Sequence, residues 1–362
     1  MIHNKEGSMN DSRYRTEQIE VDGVTVYVLK DSATQATAKI IPSLGNNCYS
    51  FGVVSIVDDQ WIDLIDPPPD LETLKNRPTA YGNPILFPFP NRIRGGVFTF
   101  EGKTYQFDKP AESPTAIHGL LLTAPYQVER ADADDKSGAM LIARLDSREF
   151  PEVMRQYPFP FEIKITYTLQ EAVLKMDIRI ENLGDTNMPM GFGIHPYFRA
   201  PLSLNSSPTE TLITVPVTQY WELDEILVPT GKIFDAMGDL ELRTGKPFAG
   251  MQLDHVFTGV QTANGVSQCT INDREAGMQL TIEADAQFRE WVVYTPPNRP
   301  SICFEPYTCP TDAINLEAKG IDTGVTVLKP GEVFTAEIRI FPEFVITGKP
   351  VFSEPIHSGS DK

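Results

Sequence analysis

The sequence predicts an all-β protein, built as one large antiparallel β-sandwich with few, short helices. Three observations carry this reading. Apolar residues alternate strictly: Phe161, Ile163, Ile165, Tyr167 and Leu169 share one strand face, and Leu174, Met176, Ile178 and Ile180 share another. A period of two means one buried face and one wet or oppositely packed face. Turn signals then recur through an almost continuous set of strands, without a linker, a charge block or a repeat of fixed period. Helix signals are sparse, the best being Thr311 to Lys319, with Asp312 in the first turn and Gly320 as a stop.

The elements follow in order. Residues 1–16 read as a flexible tail. Ile19 to Val28 forms a hairpin turning at Asp22-Gly23. Ala38 to Pro42 and Cys48 to Val57 are strands flanking the turn Leu44-Gly45-Asn46-Asn47, and Trp61 to Ile65 follows. Pro67-Pro68-Pro69 ends that strand, before a short helix at Leu71 to Lys75. Tyr81 to Asn91 is a proline-punctuated loop whose spacing excludes regular structure. Its intervening apolar residues imply that it packs down, delivering Arg92 at its end. Val97 to Phe100 and Thr104 to Phe107 form a hairpin about Glu101-Gly102, and Lys109 to Ala116 is a loop leading to His118-Gly119. Past the two alternating strands, Leu212 to Val217, Cys269 to Ile271, Met278 to Ile282, Glu290 to Tyr294 and Val333 to Phe341 read as strands. The organisation expected is a tail over 1–16, a single sandwich domain over 17–345 and a second tail over 346–362.

Composition narrows the function. The 362 residues are 41% hydrophobic and 22% charged, which is globular rather than disordered. A formal charge of -18 repels nucleic acid and anionic membrane, so neither is expected as a partner. It favours a neutral ligand or a cation. Cys48, Cys269, Cys303 and Cys309 are scattered and show no zinc-type spacing, which reads as free thiols in a reducing cytosol. Met1 to Arg15 lacks the apolar region of a signal peptide, and no run approaches the roughly 18 apolar residues of a membrane span. A cytoplasmic protein, monomeric or homodimeric, is expected.

One stretch organises the candidate chemistry: Gly191-Phe192-Gly193-Ile194-His195-Pro196-Tyr197-Phe198. Its glycines allow close backbone approach, and Pro196 pushes His195 toward an extended conformation. That holds an imidazole at a strand end, facing a cleft. Glu305 is an acid between Phe304 and Pro306 at an apolar strand end. Burial there raises a carboxyl's pKa and makes it a stronger base. Arg92 offers a planar fork of donors, with Arg94 on the same strand face as its substitute or as a surface ion pair. His118 adjoins a glycine that can aim it out of a sheet. Asp254 could accept two hydroxyl groups, whereas His255, one residue on, points to the opposite side. A metal is the competing use of His118, His195, His255 and Glu305, but none of them shows tight ligand spacing. No nucleotide-binding or GxSxG signature is present. No cofactor and no metal are expected.

Read together, these residues resemble the aldose 1-epimerase (galactose mutarotase) family. The likeness lies in order and context: Pro90-Asn91-Arg92-Ile93 with Gly96 to Tyr105; Ile117-His118-Gly119; Gly193 to Phe198; Leu253-Asp254; and Phe304-Glu305-Pro306. The closing Leu328-Lys329-Pro330-Gly331-Glu332 also matches the family's end, so the similarity runs from about Ala38 to Phe341. It implies an antiparallel β-supersandwich of the galactose mutarotase type, with a sugar cleft across its concave face. It implies Glu305 as base, His195 as acid, and Arg92, His118 and Asp254 as holders of sugar hydroxyls.

The chemistry suits that set. A cyclic aldose exchanges anomers by opening: the C1 hydroxyl loses a proton while the ring oxygen gains one, and closure occurs on the other carbonyl face. One base and one acid exchange roles, with Glu305 ionised and His195 protonated near neutral pH. Trp291 or Tyr307 could cover the apolar face of the sugar, although core packing is the commoner role of such residues. Three rivals stand beside this reading: a hexose-6-phosphate 1-epimerase with Arg94 on the phosphate, a non-catalytic carbohydrate-binding protein, and a glycosidase pairing Asp254 with Glu305.

Overall fold

A computed structural model of the chain describes residues 12–346, 349 and 350. Two extended antiparallel sheets dominate it. The first runs Tyr14–Val21, Val24–Asp31, Ala36–Ile41, Asn47–Val54, Trp61–Ile65, Tyr197–Arg199, Ser301–Tyr307, Glu290–Tyr294, Asp254–Val260, Val217–Leu223 and Pro229–Asp235. Gly193–Ile194 pairs with Ser301–Tyr307 and with Ile85–Leu86 beside that path. The second sheet runs Gln127–Asp134, Gly138–Asp146, Phe161–Gln170, Val173–Asn182, Val333–Ile346, Met278–Asp285, Val266–Asp273, Thr211–Thr214 and Lys246–Pro247. The expected sandwich architecture is therefore present.

Alternation explains how the sheets meet. Phe161, Ile163, Ile165, Tyr167 and Leu169 are buried, as are Leu174, Met176, Ile178 and Ile180. They share one apolar cluster with Phe51, Val293, Phe304 and Trp291 of the first sheet. Each large apolar side chain so enclosed contributes about 1.5–3 kcal/mol. Polar ties cross the core: Trp291 Nε1 donates to Ser267 Oγ at 3.0 Å, and Tyr167 Oη donates to the Asn46 carbonyl at 3.1 Å. The opposite face of the second sheet is wet, with Lys164 on Glu129, Lys175 on Asp177 and Arg179 on Glu181.

Local signals account for the turns. Asp22 and Gly23 both take positive φ, as a tight hairpin requires, and Glu101-Gly102 repeats the device. The helix expected after the triple proline is Leu71–Asn76, capped by Asp70 Oδ1 on the Thr73 amide.

Several expectations are corrected. The first strand begins at Tyr14, inside the stretch read as a tail, while residues 1–11 lie outside the described residues. The proline loop packs down as expected but contains the short strand Ile85–Leu86. Gln127–Asp134 is a strand that its charged, non-alternating sequence conceals; it lies at a sheet edge, where polar residues on both sides are tolerated. The late helix is shorter, Ala313–Glu317, because Asp312 is left-handed at φ 59° and forms its cap. The last long strand reaches Ile346, and residues 351–362 lie outside the described residues. No described helix is long and apolar enough to cross a membrane.

Candidate active site

The strands of the first sheet set the site's rows. Tyr197, Cys303, Tyr294 and Asp254 are in register on four neighbouring strands, so their side chains share one face. Glu305 lies two residues beyond Cys303 and joins that face. Phe304 and Trp291 point the other way, into the core. His255 also takes the other side of its strand, ring-stacked on Phe257 with centroids 5.7 Å apart. Trp291 is thus a core residue and does not cover a ligand.

His195 stands between two short strands, Gly193–Ile194 and Tyr197–Arg199. The packed proline loop holds that break open. The His195 amide donates to the Pro84 carbonyl at 3.0 Å, and the Tyr197 amide donates to the Gly82 carbonyl at 3.0 Å. Gly193 serves close approach: a Cβ there would lie 2.4 Å from the Tyr307 ring. The far end of the same loop brings in Arg92 and His118. Arg92 pairs in register with Ile117, and the His118 amide donates to the Asn91 carbonyl at 2.7 Å. Asn91 and His118 both take positive φ, a sparsely used conformation for such residues.

These elements bring the catalytic candidates together. His195 Nε2 lies 3.3 Å from Glu305 Oε1. The His118 ring meets the His195 ring edge-on, with centroids 5.2 Å apart. The buried Tyr307 hydroxyl donates to Glu305 Oε2. Arg92 Nη1 donates to Asn91 Oδ1 at 2.8 Å, and among the described residues the guanidinium has no carboxylate at ion-pair distance. Arg92 influences the ionisation of His118, His195, Asp254 and Glu305, which places it within electrostatic reach of all four. Asp254 likewise acts on Glu305. Of the five residues singled out from the sequence, His195, Glu305 and His118 are in contact, and Arg92 and Asp254 lie within electrostatic reach of Glu305.

Burial bears on the ionisation of the pair. Glu305 is 1% exposed and His195 6%. Burial pushes the Glu305 carboxyl well above its usual range, against the opposing pull of the Tyr307 hydroxyl; Asp254 adds to the rise and Arg92 opposes it. Burial draws the His195 imidazole down to about 3, aided by the Arg299 and Arg92 charges. Burial also draws His118 well below the ordinary imidazole value, with smaller contributions from His195 and Arg92. Both shifts favour a proton on Glu305 over one on His195, the direction opposite to that of the ordinary acidities. Asp254 opens to solvent but stands among walls that crowd out water, which raises its carboxyl against the charges of Arg92 and His255.

Two buried imidazole nitrogens, His195 Nδ1 and His118 Nδ1, have no hydrogen-bond partner. Among the described residues, His195, Cys303 and Glu305 could together hold a metal ion, their ligand atoms lying within 4.8 Å of one another. Cys303 joins this set in place of His118 and His255. Burial and the neighbouring Glu305 hold its thiol well above the usual range, so ligation would first have to remove a proton. All four cysteines are free and buried.

Sequence reasoning missed the role of Tyr307, whose signal was available: two residues after Glu305 on a strand means the same face. It also missed Arg299 and Asp66, which arrive on separate loops with no mark in the local sequence. Arg94, weighed as a phosphate ligand, is engaged by Asp224, and its amide donates to Asp312 Oδ1 at 3.0 Å.

A carboxyl and an imidazole in contact, flanked by the Arg92 guanidinium and a second imidazole, form a cluster of hydrogen-bond donors and acceptors. Known proteins share its setting. The chain is 31% identical to the uncharacterized protein YihR of Escherichia coli K12 over 250 residues, which are 68% of this chain and 74% of that one. It is 24% identical to human galactose mutarotase over 164 residues, 44% of each chain. The fold is that of a galactose mutarotase-like protein from Clostridium acetobutylicum, at TM-score 0.83 and 24% identity over 93% of this chain and 100% of that one. It is also that of galactose 1-epimerase from Lactobacillus acidophilus, at TM-score 0.72 and 17% identity over 93% and 100%. A sequence model of aldose 1-epimerases matches residues 52–340, the span that supplies every residue of the cluster, and the chain belongs to the aldose 1-epimerase family.

Proposed function

We propose that the protein interconverts the α and β anomers of a free hexose by acid–base ring opening and reclosure. Glu305 acts as base, His195 as acid, and Arg92, His118 and Asp254 hold hydroxyls. The observation that carries this reading is the 3.3 Å contact between His195 Nε2 and Glu305 Oε1. The C1 hydroxyl oxygen and the ring oxygen sit on one carbon, so a carboxyl and an imidazole in contact can serve both at once.

The proton balance works with one shared proton. Moving it from Glu305 to His195 makes the carboxylate and imidazolium that the first step consumes. Glu305 then takes the C1 hydroxyl proton as His195 gives its proton to the ring oxygen, and the C1–O5 bond breaks. Rotation about C1–C2 presents the other carbonyl face, and the reverse transfers close the ring. Arg92 favours the carboxylate, and the Tyr307 hydroxyl donates a hydrogen bond to its Oε2. Each general acid or base provides about 10²–10⁴-fold, and fixing the sugar contributes further.

A free sugar is favoured over a phosphorylated one because Arg94, the cation weighed for phosphate, is engaged by Asp224. The galactose mutarotases among the relatives make galactose a first substrate to test. The test is polarimetry of freshly dissolved α-galactose and α-glucose, beside glucose 6-phosphate followed by NMR. Faster equilibration of a free hexose supports the reading. Acceleration of the phosphate alone favours the hexose-6-phosphate 1-epimerase, and tight sugar binding without acceleration favours a non-catalytic binding protein.

A further inference from the structure

Three planar side chains touch in sequence behind the candidate acid. The His195 ring stacks on Tyr197 with centroids 4.9 Å apart and planes 18° apart. The Arg299 guanidinium carbon lies 4.4 Å from the centre of the Tyr197 ring and 4.1 Å from that of Tyr81. Arg299 is itself fixed. Its Nη1 lies 3.3 Å from Asp66 Oδ2, a contact of opposite charges not aligned as a hydrogen bond, and its Nη2 donates to the Ala80 carbonyl. Tyr197 is pinned at its far end, where Oη donates to the Thr79 carbonyl at 2.7 Å.

The chain path makes this arrangement more than packing. Arg299 lies in Thr295-Pro296-Pro297-Asn298-Arg299-Pro300, which joins the strand holding Tyr294 to the strand holding Glu305. Three prolines stiffen that connection. The hairpin that carries the base therefore also returns a cation to the aromatic support of the acid. Only arginine combines a permanent charge with a flat face that stacks on two rings.

We propose that Arg299 is a positioning residue for His195, acting through Tyr197 to fix the imidazole plane and to place a permanent positive charge behind it. The inference rests on the reading that His195 donates the proton to the ring oxygen. The groups facing His195 are Glu305, His118, Arg92, Tyr197 and Tyr294, with Cys303 in the adjoining row. Asp66 balances part of the Arg299 charge, and Arg199 shares that carboxylate at 3.6 Å. A cation near the ring disfavours the imidazolium and makes His195 a stronger acid once it holds the proton.

The test compares Arg299→Met and Arg299→Lys in the full chain, by anomerisation kinetics and by NMR titration of the His195 ring, whose signals are assigned by their loss in His195→Asn. Arg299→Met is expected to lower kcat at least about tenfold with KM changed less than about twofold, and to move the His195 titration to higher pH. Arg299→Lys keeps the charge but not the flat stack. It is expected to lower kcat while leaving the titration near that of the wild type. A merely structural arginine would lower thermal stability in both variants without moving the titration, and that result overturns the proposal. If neither variant folds, Tyr81→Leu removes only the outer ring. It should lower kcat with KM unchanged, and unaltered kinetics there overturn the proposal. Should the wild type accelerate no sugar, the catalytic reading fails, yet the titration still decides whether Arg299 acts on His195.

Discussion

The Tyr307 hydroxyl donates to Glu305 Oε2 and leaves Oε1 facing His195. The base is thus oriented from behind, and its charged form receives a hydrogen bond. Tyr307→Phe removes that donor and nothing else. The expected outcome is a fall in kcat of about 10–100-fold, from the roughly 1.5–3 kcal/mol of a hydrogen bond to a charged group. The alkaline limb of the pH–rate profile should also move to higher pH. Stopped-flow polarimetry across pH checks both.

Gly193 is what admits the Tyr307 ring, since a Cβ there would lie 2.4 Å from it. Gly193→Ala should displace the ring, cost about 1–3 kcal/mol of stability by overpacking, and lower kcat as Tyr307→Phe does. Combining the two changes should cost less in kcat than the product of the single effects, because both act on one bond. A double-mutant cycle measures this.

The pH dependence follows from where the shared proton sits. Below the lower titration of the pair a second proton binds; above the higher one the working proton is lost. Burial lowers His195, so the acid limb of kcat/KM should lie below the ordinary imidazole value of about 6.5. Burial raises Glu305, so the alkaline limb should lie well above the ordinary carboxyl value of about 4.3. Arg92 disfavours protonation of both groups. Arg92→Ala should therefore shift both limbs to higher pH, with its main kinetic effect on KM. Unmoved limbs would show that Arg92 lies out of reach.

Much of this was legible from the chain. Asp22-Gly23 and Glu101-Gly102 announced their hairpins, and the alternation in Phe161–Gln170 and Val173–Asn182 announced strands with one buried face and one wet or oppositely packed face. Glu305 stood out because its place between Phe304 and Pro306 is atypical of a solvated acid. What stayed hidden depends on contacts across the fold. Gln127–Asp134 is a strand because the sheet edge accepts it, which its polar sequence does not disclose. The rise of the Glu305 carboxyl comes from burial on strands that only the folded sheet brings together. Arg299, Tyr81 and Asp66 converge from three separate loops, and no local spacing records that.

A second buried carboxyl gives a stability test independent of activity. Glu290 accepts from Trp221 Nε1 at 3.2 Å and from Thr258 Oγ1 at 3.3 Å, and burial pushes it up to about 8 against those two bonds. A carboxyl raised in the folded state contributes stability that is complete below its unfolded value and lost as pH rises through the folded one. The loss runs at about 1.4 kcal/mol per pH unit within that window. Glu290→Gln should abolish it. Thermal melts of the two proteins should diverge in favour of the variant as pH climbs from about 4.3 toward 8, and parallel curves would show that Glu290 is not held protonated.

The central claim is that Glu305 and His195 pass protons to and from one sugar. Polarimetric decay of α-galactose or α-glucose with wild type, Glu305→Gln and His195→Asn tests it most directly, with circular dichroism confirming the fold of each. The account predicts that the wild type accelerates equilibration and that each variant loses at least about 100-fold in kcat. Either variant working at the wild-type rate would contradict it.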